Sequence, residues 1–263
     1  RKLSELKAKD LNRQLLENID HLEAANKNLD RFAFMSSHDL QEPLRKIRTF
    51  TDLLFSKYKD IFDEDATRYV NRIQKSAERM QLLIKDILAF SKVSSDKSAF
   101  IETDLNEVVR DVLIELEPTV QQEKAEVKVT QLPSLPVNAG LMAPLFSNLI
   151  GNALKYRKKG IDPVINIYSK EETMNGEHRK ENKNAKGKYC RIFVEDNGIG
   201  FDQKYADQIF DMFIRLHGNN EYEGTGIGLA LCKQIVEHHH GFISALSKED
   251  AGSTFIISLP VNN

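Results

Sequence analysis

The stretch NLIGNALKY at residues 148–156 is apolar enough for a buried helix, yet polar at chosen places. Asn148 and Asn152 stand four residues apart, so both amides face one side of a helix, with Lys155 on an adjacent stripe. Amide oxygens are hard ligands suited to Mg²⁺, and an ammonium beside them can hold phosphate. Taken alone, paired asparagines on a helix are more often surface than site. The rest of the chain decides.

Two further clusters lie downstream. In VEDNGIGFD (194–202), Asp196 ends a strand just before Gly198 and Gly200, which puts an acceptor beside a tight backbone approach. Such a carboxylate can accept a hydrogen bond from an exocyclic amine such as that of adenine; an ordinary Asp-Asn-Gly turn reads the same way in isolation. In GTGIGLALCKQIVEHH, from Gly224, alternating glycines lead straight into a helix. Unpaired amides and the positive helix end then meet in an anion site. The spacing is not the GxGxxG dinucleotide pattern.

Around these clusters the pattern is mixed α and β. Asp104 followed by Glu107 predicts a capping-box start to a helix ending near Leu116. AEVKVTQ (125–131) alternates like a strand, and a helix is predicted from about Leu141 to Tyr156. VINIYS (164–169) and YCRIFVED (189–196) read as strands, with the polar stretch 170–188 between them as a mobile hairpin loop. A helix near 226–239 and the strands GFISAL and STFIISLP close an α/β sandwich.

Upstream the chain is helical. FMSSHDLQEPL (34–44) sits inside a long amphipathic pattern that runs to about Lys57. YKDIFDED then reads as a turn, and a second helix spans about Asp65 to Val93, with Tyr69, Ile73, Ala77, Met80, Ile84 and Ile87 along one face. One such hairpin buries too little, and two copies in a four-helix bundle bury enough, so a dimer is expected. Before it, Leu15, Ile19, Leu22, Leu29 and Ala33 hold heptad positions with Asn26 among them, the pattern of a short coiled coil. SSDKS (94–98) is the expected domain boundary.

Composition limits the options. A formal net charge of −2 provides no global basic field for nucleic acid or anionic membrane. No apolar run approaches the roughly 18 residues of a membrane span. Cys190 and Cys232 fit no CxxC spacing and read as free thiols. His238, His239 and His240 point about 100° apart on a helix, so they cannot converge on one ion and read as a solvated helix end. The chain opens at Arg1 inside a helical pattern, as a piece of a longer protein would, with any sensor or anchor upstream.

In combination and order, these motifs resemble those of the sensor histidine kinases. SSHDLQEPL is similar to the H box, NLIGNALKY to the N box, DNGIG to the G1 box, IFDMF to the F box and GTGIGLA to the G2 box, over about residues 30–260. The wording of the H box and of FIRLHG is most like phytochrome-type and hybrid kinases. The resemblance implies an α+β multidomain chain. A helical hairpin forms a dimeric four-helix bundle, and an α/β sandwich of the Bergerat ATP-binding type follows it. The expected domains are a signalling helix at 1–33, the dimerisation and phosphotransfer hairpin at 34–93, a linker at 94–98 and the ATP-binding domain at 99–263.

It also implies roles. His38 attacks ATP, and Asp39 accepts a proton or orients the ring. Asp196 reads the adenine amine, with Gly198 and Gly200 shaping the pocket. Asn152 holds Mg²⁺ with Asn148 in support, Lys155 contacts phosphate, and Tyr156 lies against the nucleotide. Gly224, Thr225, Gly226, Gly228 and Leu229 form the phosphate-binding turn and helix start. Residues 211–223 form a lid that Phe210 and Phe213 anchor in apolar surface, and Arg215 is a candidate phosphate contact. The cofactors are ATP and Mg²⁺. The partners are a second copy of the chain and a response regulator receiver domain, with neither nucleic acid nor membrane contact within this chain. The expected location is cytoplasmic, as the whole or the cytoplasmic part of a larger sensor. One departure stands out: Glu42 occupies the place where kinases that dephosphorylate their partner carry Thr or Asn, so weak phosphatase activity is expected. Two rivals share the pocket. A gyrase-like ATPase needs Glu where Asn148 stands, and a nucleotide-gated scaffold binds ATP without turnover.

Overall fold

The computed structural model describes residues 13–14, 39–96, 98–175, 186–216, 222 and 224–261. The predicted coiled coil, apart from helical Arg13 and Gln14, lies outside them, as do His38 and the tip of the predicted 170–188 loop. The chain divides into two compact units, Arg1–Ser95 and Asp96–Asn263.

In the first unit, helix α1 covers 39–58 and continues through Pro43, and α2 is Glu64–Ser95. Between them the chain turns over Phe55 and Phe62, whose rings lie 6.4 Å apart. Asp63 starts α2 by accepting the Ala66 N–H at 2.7 Å, and Glu64 and Asp65 add negative charge to the first turn, where the helix dipole favours it. The helices run antiparallel. Asp52 accepts from Gln74 at 2.6 Å, and Leu44 packs in one cluster with Ala77 and Ile84. Half of the predicted apolar stripe has no cover in a single chain: Tyr69, Ile73 and Met80 are exposed and line a groove with Ile47.

The second unit is a five-stranded mixed sheet. Its strands are β2 (Glu126–Val129), β4 (Val164–Asn175), β5 (Lys186–Asp196), β6 (Phe242–Lys248) and β7 (Gly252–Pro260), in the order β2-β4-β5-β7-β6. Only β2–β4 is parallel. Helices α4 (Ala139–Lys155) and α5 (Gly228–His238) pack on the sheet, and α3 (Leu105–Gln122) packs on α4. The core holds Leu145, Phe146, Leu149 and Ile150 of α4 against Ile165, Ile167 and Ile192 of the sheet, all fully buried. Apolar burial of this kind supplies most of the favourable energy of the fold.

Three local expectations need correction. Asp104 does cap α3, but it accepts from the Asn106 N–H at 2.8 Å, while Glu107 pairs with Arg110 at 3.2 Å; the reciprocal box does not form. The helix continues past Leu116 to Gln122 with Pro118 inside it. A separate two-stranded sheet, β1 (Ile101–Asp104) against β3 (Ser134–Val137), has no counterpart in the sequence reading.

The histidine run is only partly a solvated helix end: His240 is exposed and His238 half-buried, but His239 is not solvated. His239 is 1% exposed and its ring stacks on Phe100 at 4.7 Å. Its Nε2 accepts the Asn138 N–H at 2.9 Å, so Nδ1 carries the proton and donates to the Ile235 carbonyl at 2.7 Å. Burial pushes its pKa down, as suits a ring that must stay neutral to accept. This ring ties the C-terminal end of α5 to the residue that caps α4.

Candidate functional site

The three sequence clusters converge in the second unit. Asp196, the last residue of β5, pairs with Ile165 of β4 and Ser253 of β7. Its Oδ1 accepts the backbone N–H of Gly198 at 2.8 Å and of Ser253 at 3.2 Å. The carboxylate lines an inner cavity walled by Asn152, Tyr156, Ile199, Leu229 and Phe255. Burial raises its pKa to about 6, against the lowering effect of the two amides.

That value fixes a pH dependence. A ligand that donates an amine hydrogen to Asp196 needs the charged form, so affinity for adenosine is expected to fall about tenfold per pH unit below about 6. Calorimetric titration between pH 5 and pH 8 checks this, and an affinity constant across that range would contradict it. Stability moves the other way. The folded pKa lies above the ordinary carboxylate value of 3.8, so the neutral form stabilises the ligand-free fold below that value. This contribution, roughly 3 kcal/mol at most, is lost as pH rises through about 6.

The glycines after Asp196 are there for close approach. A Cβ on Gly198 would stand 2.4 Å from the Tyr156 carbonyl, which also accepts the Ile199 N–H at 2.9 Å. Gly200 has φ +62, and a Cβ there would lie 2.0 Å from the Lys248 carbonyl. Sequence reasoning missed a third glycine of the same kind. Gly252 opens β7 at φ +93, with the Asp196 carbonyl 2.0 Å from where a Cβ would stand. Gly252→Ala is expected to destabilise the chain by roughly 2–5 kcal/mol, from left-handed strain plus displacement of Asp196. Urea unfolding measures the loss, and an unchanged midpoint would contradict it.

The helix α4 delivers the N-box residues unequally. Asn152 and Tyr156 line the inner cavity. Asn148 does not: its Nδ2 donates to the Pro144 carbonyl at 2.9 Å, and its Oδ1 lies 2.4 Å from where a Cβ on Gly228 would stand. It packs closely against the start of α5. Lys155 donates to the Tyr156 hydroxyl at 3.0 Å and lies against Gly224, whose added Cβ would meet its Nζ at 2.7 Å. It also lines an outer cleft of about 1050 Å³, which shares Ile199, Gly200, Phe201 and Leu216 with the inner cavity.

The glycine-rich turn approaches from the other side. Thr225 is buried and accepts the Ile227 N–H at 3.3 Å, Gly226 has φ +77, and α5 begins at Gly228 with no side-chain cap. The first amides of α5 therefore have no intrahelical acceptor, and Leu229 behind them walls the cavity. Of the lid, residues 211–216 and 222 are described. Phe210 is buried edge-on against Phe255 at 6.4 Å. Phe213 is no anchor. It is 59% exposed with φ +66, held by its N–H to the Gly226 carbonyl at 2.9 Å. Arg215 lines the inner cavity and donates to the carbonyls of Gly224, at 3.1 Å, and Tyr222. Tyr222 in turn stands 5.0 Å from Tyr156, ring to ring.

In the first unit, Asp39 is exposed at the start of the described part of α1, and Glu42 forms an ion pair with Lys46 at 2.8 Å one turn further on. Among the described residues, no cluster of His, Cys, Asp and Glu could hold a metal ion, and no helix is long and apolar enough to cross a membrane.

Comparison with known proteins bears on the family and the fold. The His Kinase A (phospho-acceptor) domain matches residues 28–96. The histidine kinase-, DNA gyrase B- and HSP90-like ATPase matches residues 139–263. Phytochrome-like protein Cph1 of Synechocystis sp. is 36% identical over 251 residues, which make up 95% of this chain and 31% of that protein. The chain spans about a third of the length of the curated relatives it matches. Among solved structures, full-length ShkA in complex with AMPPNP aligns with a TM-score of 0.62 at 19% identity, over 88% of this chain and 45% of that one. Histidine kinase ThkA in complex with response regulator protein TrrA aligns with a TM-score of 0.56 at 20% identity, over 90% of this chain and 64% of that one. Both share the fold.

Proposed function

The chain belongs to the histidine kinases, and from that premise we propose that it moves the γ-phosphoryl group of ATP to His38 and then to an aspartate of a response regulator receiver domain. The observation that carries this reading is the half-buried Asp196 carboxylate lining a cavity with Asn152, Tyr156 and Leu229. In this reading Asp196 accepts from the adenine amine, with Gly198 and Gly200 letting backbone close around the base. Tyr156 lies against the base, Lys155 meets phosphate, and the amides of Gly224, Thr225, Gly226 and Gly228 receive the remaining phosphate charge at the helix start. Arg215 closes the lid ends toward that charge.

The donor set suits Mg²⁺ held by one amide oxygen, that of Asn152, together with phosphate oxygens and water. When bound, Mg²⁺ offsets negative charge on the phosphates. His38, as a neutral imidazole, forms the new N–P bond while the bond from the γ-phosphorus to its bridging oxygen breaks and ADP leaves. Asp39 orients the ring or takes its proton. An amide at position 148 supports phosphoryl transfer over ATP hydrolysis, because it cannot serve as a general base for water.

The hairpin 34–93 would act as the phosphoacceptor domain and 99–263 as the nucleotide domain. The uncovered face around Ile47, Tyr69, Ile73 and Met80 supports a homodimer in which two hairpins complete a four-helix bundle. The receiver would dock on the bundle below His38, near residues 41–55 and the second helix, in the cytoplasm, where ATP is supplied. ThkA was solved with a response regulator, which fits a partner of that class.

The test is incubation of the whole chain with γ-labelled ATP and Mg²⁺. Label that is stable to alkali and lost in acid supports the reading, whereas nucleotide binding without label would leave a nucleotide-gated scaffold. The acidic Glu42 repels a phosphorylated receiver. Glu42→Thr is therefore expected to speed partner dephosphorylation by about tenfold, and no gain would count against that repulsion.

A further inference from the structure

The wall that carries Asp196 is held from behind by a hydroxyl that lines neither cavity. Ser247, near the end of β6, faces Ser253 across the β6–β7 ladder, and Ser253 faces Asp196 across the β5–β7 ladder. Its hydroxyl has three partners. It accepts the Phe201 N–H at 2.8 Å, donates to the Gly252 carbonyl at 2.9 Å, and shares a 3.0 Å contact with the Ser253 hydroxyl. A serine has one proton to give, so with that proton on Gly252 the Ser253 hydroxyl is the donor in the shared contact. One oxygen thus joins the loop after Asp196 to the two β7 residues that lie beside Asp196. Gly252 touches the Asp196 backbone, and the Ser253 amide donates to its Oδ1 at 3.2 Å.

We propose that Ser247 is a positioning residue for base recognition: its hydroxyl holds the 198–202 loop and the 247–253 hairpin in the register that points the Asp196 carboxylate at an exocyclic amine. The proposal rests on the reading of the inner cavity as an adenine site. Removing the hydroxyl leaves the Phe201 N–H and the buried Gly252 carbonyl without their partner, which a closed backbone tolerates poorly. Neighbouring ties remain in place. Asp250 still donates to the Ile199 carbonyl at 2.7 Å, and Gln203 still bridges Ala245 and the Ser247 amide, at 3.0 and 2.7 Å. The loss is therefore in alignment at Asp196, with the fold kept.

The test compares ATP with inosine triphosphate, which has a carbonyl in place of the exocyclic amine, by calorimetry on the whole chain. Ser247→Ala is expected to weaken ATP about tenfold and leave inosine triphosphate within about twofold. Ser247→Thr, which keeps the hydroxyl on a residue suited to a strand, is expected to bind like wild type. Should the alanine variant not fold, the near-isosteric Ser247→Cys carries the same comparison. Equal weakening of both nucleotides would mark a general structural role and overturn the proposal, as would unchanged ATP affinity. A wild-type chain that does not prefer ATP to inosine triphosphate would instead bring down the adenine reading on which the proposal rests.

Discussion

His38→Ala is expected to abolish transfer of label from γ-labelled ATP to the chain, a fall on the order of 10³-fold or more, while leaving ATP affinity within about twofold. The size follows from the kind of step. Every other residue assigned a role here binds, orients or neutralises, and losing one of those slows the reaction. In the proposed transfer His38 supplies the nitrogen of the new bond, and alanine offers nothing in its place. The unchanged affinity follows because the described residues that line the cavity, from Asn152 to Phe255, belong to the second unit. The nearest described neighbour, Asp39, is an exposed carboxylate on α1, and a carboxyl phosphate formed there would be lost in alkali, whereas phosphohistidine is not. Alkali-stable label persisting in the alanine variant would move the acceptor to another histidine. Loss of label together with loss of ATP binding would mean that the substitution had damaged the nucleotide site, contrary to the separation of roles proposed.

What could be read from the sequence, and what could not, has a common physical cause. Periodicity reports which face of an element is apolar, so the hairpin, the sandwich and the placement of Asn152, Asp196 and Gly226 were legible. It does not report what comes from elsewhere in the chain to cover that face. His239 ends an amphipathic helix and reads as solvated, but Phe100, far upstream, stacks on it and Asn138 donates to it. Asn148 and Asn152 share a face by spacing, yet Gly228 packs on one and the cavity opens beside the other. The strand β1, IETD, has a single apolar residue, Ile101, and so no alternation to read, and β3 carries Pro136. Gly252 and Ser247 sit in a hairpin whose sequence carries no nucleotide-like signal; only the pairing of β7 with β5 brings them to Asp196. The glycine spacing did point to close approach, but the partners, the Tyr156 carbonyl at the end of α4 and the Lys248 carbonyl of β6, come from distant parts of the chain.

Asp196→Asn is expected to weaken ATP by roughly 10²- to 10³-fold, the largest effect of any change confined to the nucleotide site. In the wild type, Oδ1 is occupied by the amides of Gly198 and Ser253, which require an acceptor. An asparagine will therefore place its carbonyl oxygen there and turn its NH₂ into the cavity. A donor then faces the donor amine of adenine in a buried place, so the charged hydrogen bond is lost and two donors are left unpaired. The same inversion predicts that inosine triphosphate, with an acceptor at that position, gains on ATP. Stability should move in the opposite direction. The carboxylate is held at about pKa 6 by burial, so replacing it with a neutral amide removes a cost that the ligand-free chain carries above that pH, up to roughly 3 kcal/mol. The variant should thus unfold at a higher urea concentration than wild type at pH 8, and at nearly the same one at pH 4. A variant that binds ATP poorly because it is misfolded would show the reverse, a lower midpoint at every pH. A variant that binds ATP as wild type does would show that Asp196 does not read the base.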